Sequence, residues 1–324
     1  MELRSDTNFS VRWNWQRIFS LAHVRAAIVP MLALITVYGG FSPAASARSV
    51  TDAQLYQTTL MSHDELKLIL IDWGFDAPRF QHDTPSMRPR QIWQRARSIL
   101  VKLQRLQKAE GLPQMRIPLG PSRDVSGSDL QPLLEQILEG VGGLKAHYGV
   151  TASARPVPLR QKIDRREIYI RLLDIGAYLD VLSGTKVKPT DVYRVIMTLQ
   201  NTLLQMCHVR GLTPDIGKVM PASGKSPRNV YLAAHKLLAR LDQLARKEKL
   251  NIPGGLLLQK KKGGRIVSHD MLLLAEHILA EATALHRLDG AAEPVAFFEL
   301  MPDRIPSHVF TEIEKSIMLV EAMI

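Results

Sequence analysis

The stretch PRNVYLAAHKLLARLDQL, from Pro227 to Leu244, carries the pattern that decides the fold. Its apolar residues recur in steps of four and three, at Val230, Ala234, Leu237, Leu241 and Leu244. This spacing predicts a helix with one narrow apolar seam, as in helices that mesh side by side in bundles. Proline suits the first position, because its missing N–H has no intrahelical partner there and its φ is already helical.

Four segments of the chain open in this way, with Pro, two mostly polar residues, Val or Ile, and an aromatic residue. They are Pro89–Trp93, Pro189–Tyr193, Pro227–Tyr231 and Pro306–Phe310. The seam continues at the same offsets in each copy, apart from Ser316 in the fourth. We expect the aromatic residues Trp93, Tyr193, Tyr231 and Phe310 to act as wedges between neighbouring helices rather than as ligand-stacking platforms.

Further helices are predicted between these copies. They are a helix opened by the capping box Ser62–Glu65, and helices over Ser128–Tyr148, Asp164–Leu182 and Ser268–Leu288. The sequence therefore predicts an all-α fold, a helical bundle built from internally repeated helices. The repeat suggests a duplication with an insertion, dividing the chain into helical halves at 48–211 and 212–324. A small hairpin is expected over Leu256–Val267, where apolar triplets flank a Lys/Gly run.

The N-terminus resembles an export signal in its order of features. Arginines precede a run without charge from Ala26 to Ala47, and the run ends in the small residues Ala45, Ser46 and Ala47. We predict that residues 1–47 are a signal peptide cleaved after Ala47, which makes the rest periplasmic or secreted. The alternative is an uncleaved inner-membrane anchor, favoured by the long charged region before the run and by Pro30.

Composition excludes several classes of protein. With 46% hydrophobic residues and one cysteine among 324 residues, the chain is neither disordered nor a disulfide scaffold. Its net charge is +11, and removing residues 1–47 takes away four arginines and two acids and leaves +9. Cys207 lies in a helical apolar stretch, so we expect it to be buried; an intermolecular disulfide is the alternative.

No motif for nucleotide binding, nucleophilic catalysis or metal binding occurs in the sequence. The nearest approach is His277 with Glu281, one helical turn apart, but His269 and His286 fall elsewhere around the helix. We therefore expect His277 and Glu281 to lie on a solvated face. The sequence predicts no catalytic residue, no cofactor and no metal, and hence a protein that is not an enzyme.

The basic surplus concentrates in two groups of cations. They are Lys260, Lys261, Lys262 and Arg265 in a glycine-flanked loop, and Arg160, Lys162, Arg165 and Arg166 around a helix start. Such cations attract lipid headgroups and anionic polymers by long-range electrostatics, although a merely solvated loop has the same composition. Export and the lack of aromatic residues beside the lysines argue against nucleic acid.

These observations favour a non-enzymatic helical binding or scaffold protein of the cell envelope. Its expected partner is an envelope protein, or an anionic polymer or lipid surface, and self-association into a homo-oligomer is compatible with the sequence. One alternative is a periplasmic sensor domain that binds a small molecule between helices and signals to a membrane partner. Another is a hydrolase whose site is assembled from distant residues.

Overall fold

The computed structural model describes residues 50–75, 84–290 and 296–324. These residues form eight α-helices and one short 3-10 turn, Ile216–Lys218. The helices are α1 Asp52–Asp72, α2 Pro89–Ala109, α3 Gly127–His147, α4 Arg165–Leu182, α5 Pro189–Val209, α6 Pro227–Lys247, α7 Ser268–Leu288 and α8 Pro306–Met323. No strand occurs in the described part of the chain, so the predicted all-α fold is confirmed.

Four helices begin at the prolines that the sequence pattern marks. Pro89, Pro189, Pro227 and Pro306 are the first residues of α2, α5, α6 and α8. The seam residues behind each proline are buried, including Ser316, whose hydroxyl donates to the carbonyl of Glu312 at 2.8 Å. The helix starts and the apolar seams thus follow from local sequence.

The aromatic residues behind these prolines pack between elements of the fold. Trp93, Tyr193 and Tyr231 are buried and Phe310 is half-buried. The Tyr231 hydroxyl accepts a hydrogen bond from the backbone N–H of Lys262 at 2.9 Å, so this ring also fixes a loop. Two of the rings carry a cation over one face: Arg304 on Tyr193 and Lys225 on Phe310.

The helices pack as two four-helix groups with the same pattern of neighbours. In the first group α1 and α2 each contact α3 and α4; in the second, α5 and α6 each contact α7 and α8. The groups have separate hydrophobic cores and are joined by packing of α2 against α7. We call them the first bundle (α1–α4) and the second bundle (α5–α8).

The position of α5 differs from the predicted halves. A division after residue 211 would leave α5 with the preceding helices, whereas α5 packs against α7 and α8. Its seam residues Val192 to Met206 belong to the core of the second bundle. The break between the bundles therefore lies between Leu182 and Pro189.

Two local predictions are wrong. Helix α1 begins ten residues before the predicted capping box, at a box in which Thr51 Oγ1 accepts from the Gln54 backbone N–H. Ser62 is consequently inside the helix, where its hydroxyl donates to the Thr58 carbonyl at 3.0 Å. The predicted hairpin over 256–267 is an irregular loop, because its backbone polar groups pair with side chains of α6 and α7 instead of with each other.

The remaining sequence predictions concern Cys207 and the N-terminus. Cys207 is buried as expected, with its Sγ 3.6 Å from the Leu319 carbonyl. The predicted signal peptide, residues 1–47, lies outside the described residues. Among the described helices, none combines the length and apolarity that a bilayer crossing requires.

Candidate functional site: the polar interface between the bundles and its basic loop

The face of α2 that lies opposite its apolar seam is buried against the second bundle. The residues of this face that are buried are Arg90, Gln91, Gln94, Arg95, Arg97 and Ser98. Polar residues on that side of an amphipathic helix normally meet water, so their burial requires partners of matching charge and hydrogen-bonding capacity. Helix α7 supplies such partners to Arg90, Gln91, Arg95 and Ser98.

Glu281 of α7 is fully buried and accepts hydrogen bonds from three directions. Arg90 donates to Oε2, with Nη2 at 3.0 Å and Nε at 3.2 Å, and Gln91 Nε2 lies 2.5 Å from Oε1. The backbone N–H of Leu257 donates to Oε1 at 3.1 Å. Burial raises the pKa of Glu281, and the Arg90 charge offsets part of that increase. This carboxylate therefore joins α2, α7 and the loop after α6.

Glu276 lies one and a half turns before Glu281 and pairs with Arg95. Arg95 Nη1 is 3.4 Å from Glu276 Oε2, and both side chains are buried. Burial raises the pKa of Glu276, because the charges of Arg95 and Lys102 and the Ser98 hydroxyl compensate only part of the lost hydration. The Arg95 guanidinium lies against Gly176 of α4, where an added Cβ would collide with it.

His277 corrects the expectation that this part of α7 is solvated. Only 2% of His277 is exposed, and its Nε2–H donates to the Leu257 carbonyl at 2.5 Å. Burial lowers the pKa of His277 to about 4, so the ring is neutral and Nδ1 carries the free lone pair. His277 and Glu281 thus bind the backbone of one loop residue. The described residues contain no group of three or more side chains that could hold a metal ion.

The start of the loop after α6 is held in place by two arginines, Arg88 at the N-cap of α2 and Arg90 within α2. Arg88 donates to the carbonyls of Gly254 and Gly255, and Arg90 donates to those of Pro253 at 3.1 Å and Gly255 at 2.6 Å. Together with the contacts of Leu257 to α7, these bonds fix residues 253–257. We call this segment the anchored loop base.

The first predicted group of cations lies directly beyond the anchored loop base. Lys260, Lys261, Lys262 and Arg265 are all exposed. The Lys262 ammonium pairs with Asp270 at 2.6 Å, and its backbone N–H is held by Tyr231. The other three cations extend from a loop that is fixed before and after them.

The second predicted group lies in the first bundle, on the connection from α3 to α4. Arg160 pairs with Glu167 at 2.8 Å and lies over the ring of Tyr56, and Arg165 pairs with Asp52 at 3.0 Å. Lys162 and Arg166 are exposed. Lys162 lines an open cavity of about 490 Å³ formed by residues 51–53 and 161–164. The two groups thus occupy loops of different bundles, and the ion pairs of Arg160 and Arg165 reduce the free charge of the second.

Sequence reasoning missed a further cluster around Phe297. The guanidinium carbons of Arg97 and Arg194 lie 4.4 Å and 4.7 Å from the centroid of this ring. Desolvation lowers the pKa of Arg97 to about 10 and is the main cause of a pKa of about 9 for Arg194. Arg97 Nε and Nη2 and Arg194 Nε have no hydrogen-bond partner among the described residues.

A sequence signal for this interface exists. Glu276, His277 and Glu281 interrupt the apolar central part of α7, and α2 carries arginines at positions 2, 7 and 9 of the helix. Charges inside an apolar helix indicate a buried polar contact when a second helix carries the opposite sign.

The fold and this interface define an all-α protein of two four-helix bundles joined through a buried polar contact. Comparison with known protein families, with curated proteins and with solved structures finds no match.

Proposed function

We propose that this protein is an exported, non-enzymatic helical scaffold of the cell envelope that acts by binding. Its mature chain is periplasmic or secreted, starting at Arg48 after removal of the signal peptide. The support for export is the order of charged, apolar and small residues in 1–47. N-terminal sequencing of the exported protein should find Arg48 as the first residue. A chain that still begins at Met1 and stays in the inner membrane would show that residues 1–47 are an uncleaved anchor.

The observation that carries the binding proposal is the anchored loop base. Four side chains, Arg88, Arg90, His277 and Glu281, hold residues 253–257, and Tyr231 holds Lys262. Cations on a loop that is already ordered lose little conformational entropy when an anionic surface binds them. The loop 260–265 is therefore the proposed contact with an anionic envelope polymer or lipid surface, and the buried charges of the interface have a structural role.

Binding to vesicles tests this proposal. We expect the protein to bind vesicles containing anionic phospholipid at low salt, and the triple variant Lys260→Ser/Lys261→Ser/Lys262→Ser to bind at least about tenfold more weakly. The control is Lys186→Ser/Lys218→Ser/Lys247→Ser, which removes the same charge from exposed lysines elsewhere. Equal weakening by both triple variants would mean that only net charge matters, and would reject a defined site.

The Phe297 cluster favours a second candidate function, a sensor for a small anion. Arg97 of α2 and Arg194 of α5 are 4% and 8% exposed, and their unpartnered N–H groups lie beside Phe297 in the segment before α8. Guanidinium groups with unused donors bind carboxylates and phosphates. A bound anion would connect the two bundles beside Phe297.

A thermal-shift screen separates this sensor from a scaffold. The probes are inorganic phosphate, sulfate and small di- and tricarboxylates at equal ionic strength. A sensor gains melting temperature with one of them, loses the gain in Arg97→Met, and keeps it in Arg246→Met, which removes an exposed arginine. The sensor is rejected if no probe shifts the wild type or if both variants respond equally.

A further inference from the structure

The two bundles are equivalent helix by helix. The helices of the first bundle have 21, 21, 21 and 18 residues, and those of the second have the same lengths in the same order. Positions can therefore be matched by counting from each helix start. Short identities support the match, since Glu135–Leu138 reads EQIL and Glu276–Leu279 reads EHIL.

Side-chain pairs recur at matched positions. Lys102 of α2 pairs with Asp180 of α4 at 2.6 Å, and at the same places in α6 and α8, Arg240 pairs with Glu321 at 3.1 Å. The C-cap residues of α1 and α3, Trp73 and Tyr148, have ring centroids 4.4 Å apart, with the ring planes tilted by 58°. Their counterparts after α5 and α7, Arg210 and Asp289, form an ion pair at 2.7 Å. The match therefore holds in three dimensions as well as in length.

The contact between the bundles is not symmetric. Helix α2 packs against α7, whereas the matched helices of the opposite bundles, α6 and α3, do not touch within the described residues. A two-fold relation would have produced both contacts. The packing is consequently head to tail, and it leaves one surface of each type largely unused. These are the face of α6 that matches the interface of α2, and the face of α3 that matches that of α7 except at Gly140, the counterpart of Glu281, which is buried against Met115.

Burial identifies these unused faces. Four positions on α6 are exposed although their counterparts on α2 are buried. The exposed residues are Arg228, Asn229, Leu232 and Lys236, and the buried counterparts are, in the same order, Arg90, Gln91, Gln94 and Ser98. On α3, Glu135, Glu139 and Gly143 are exposed, and their counterparts on α7, Glu276, Ala280 and Ala284, are buried. Leu232 is a large apolar residue, 42% exposed, at the centre of the α6 face.

The two unused faces are complementary in charge and shape. In the existing interface, Ser98 of α2 lies near enough to Glu276 for its hydroxyl to lower the pKa of that carboxyl. The residues at these two positions on the unused faces are Lys236 and Glu135. The α3 face also contains Gly142, Gly143 and Ala146, which permit close approach of a helix bearing Leu232.

We infer that α6 of one copy packs against α3 of a second copy as α2 packs against α7, so that chains join head to tail. Lys236 of one copy then pairs with Glu135 of the second copy, and Leu232 is buried against its glycines. Because this contact is heterologous, it continues into a filament or closes into a ring. Self-assembly of this kind is additional to the proposed binding function and does not depend on it.

Charge reversal provides the test. Sedimentation velocity of the full chain at low salt should show an average mass that rises with concentration beyond that of a dimer. Lys236→Glu and Glu135→Lys should each raise the concentration needed for association by about tenfold or more. Mixing the two variants should restore it, since each reversed face then meets a face of opposite charge.

The two unused faces also determine the control variants and the results that would contradict the inference. Lys247→Glu and Glu299→Lys make equal charge changes outside the two faces and should assemble as the wild type does. A wild type that stays monomeric up to about 10⁻⁴ M, far above the dissociation constants of stable interfaces, would overturn the inference. An average mass that stops at that of a dimer, and that is lowered by only one of the two charge reversals, would also overturn the inference. It would indicate a symmetric dimer, in which both copies use the same face.

Discussion

At the scale of single residues, Tyr231 links a helix seam to the basic loop that contains Lys262. Its ring is buried in the second bundle and its hydroxyl holds the backbone of Lys262. We expect Tyr231→Ala to lower the free energy of unfolding by about 3 to 5 kcal/mol, as is typical for a large core aromatic residue. Urea denaturation followed by circular dichroism measures this change.

The matched control is Tyr231→Phe. It keeps the ring and removes only the hydrogen bond to Lys262, so it should lower the free energy of unfolding by about 1 kcal/mol. If Tyr231→Ala left the melting temperature unchanged, the ring would not act as a wedge between helices. If Tyr231→Phe lowered the free energy of unfolding by nearly as much as Tyr231→Ala, the contribution of Tyr231 would come mainly from the hydrogen bond to Lys262.

His277 predicts how stability depends on pH. Its pKa is about 4 in the folded protein and 6.5 as a reference. As the pH falls below about 6.5, the unfolded chain binds the proton first, so stability is intact above that value and decreases towards pH 4. Between about pH 7 and pH 5, the wild type should lose about 2 kcal/mol more than His277→Gln, which can still donate to the Leu257 carbonyl.

Urea midpoints at the two pH values measure this difference. Glu281, 3.9 Å from His277 Nε2, and Arg90 on α2 are present in both proteins, so their titration largely cancels in the comparison. Parallel pH profiles for the wild type and His277→Gln would show that the buried ring does not resist protonation.

At the scale of elements, the α2–α7 interface depends on buried charge pairs. Removing one member of a buried ion pair leaves an unpaired charge in a poorly hydrated site. We therefore expect Arg95→Met and Glu276→Leu each to lower the free energy of unfolding by about 3 kcal/mol, and the double variant to lose less than either one. Denaturant unfolding of the four proteins forms a double-mutant cycle. Additive losses would show that Arg95 and Glu276 act independently.

The same interface explains a difference between the bundles. Arg95 requires Gly176 beside it on α4. The matched positions in the second bundle are Ala233 and Ile317, both in the core. The matched positions thus combine a large and a small residue in both bundles, with the large residue on opposite helices. Only in the first bundle does the large residue carry a charge, which reaches the α7 carboxylate.

At the scale of the whole molecule, residues Arg48–Ile324 form one compact unit although they contain two cores. Separating the bundles would leave buried charges without their partners, so we expect both bundles to unfold in one transition. Trp73 and Trp93 report on the first bundle, since the second contains no tryptophan, and circular dichroism at 222 nm reports on both. The two denaturation curves should coincide; a fluorescence transition at a different midpoint would mean that the bundles unfold independently.

The sequence by itself determined where four of the helices begin, which residues form their seams and that the fold is all-α. These features depend on short-range spacing, because a proline marks a first turn and steps of three and four define one face. The residues Pro89, Pro189, Pro227 and Pro306 could therefore be placed without knowledge of any neighbouring helix. The start of α1 was not predicted correctly, because Ser62–Glu65 has the residue pattern of a capping box although it lies inside the helix.

Only the tertiary structure decided the membership of α5, the burial of Glu276, His277 and Glu281, and the anchoring of the loop before Lys260. Each depends on which helix lies opposite, and that choice is made between segments distant in sequence, such as Arg90 and Glu281, which are 191 residues apart. A polar face of α2 has the same sequence pattern whether it meets water or the carboxylates of α7. The physical difference is the matching of charge across the interface, which no spacing within one helix can reveal.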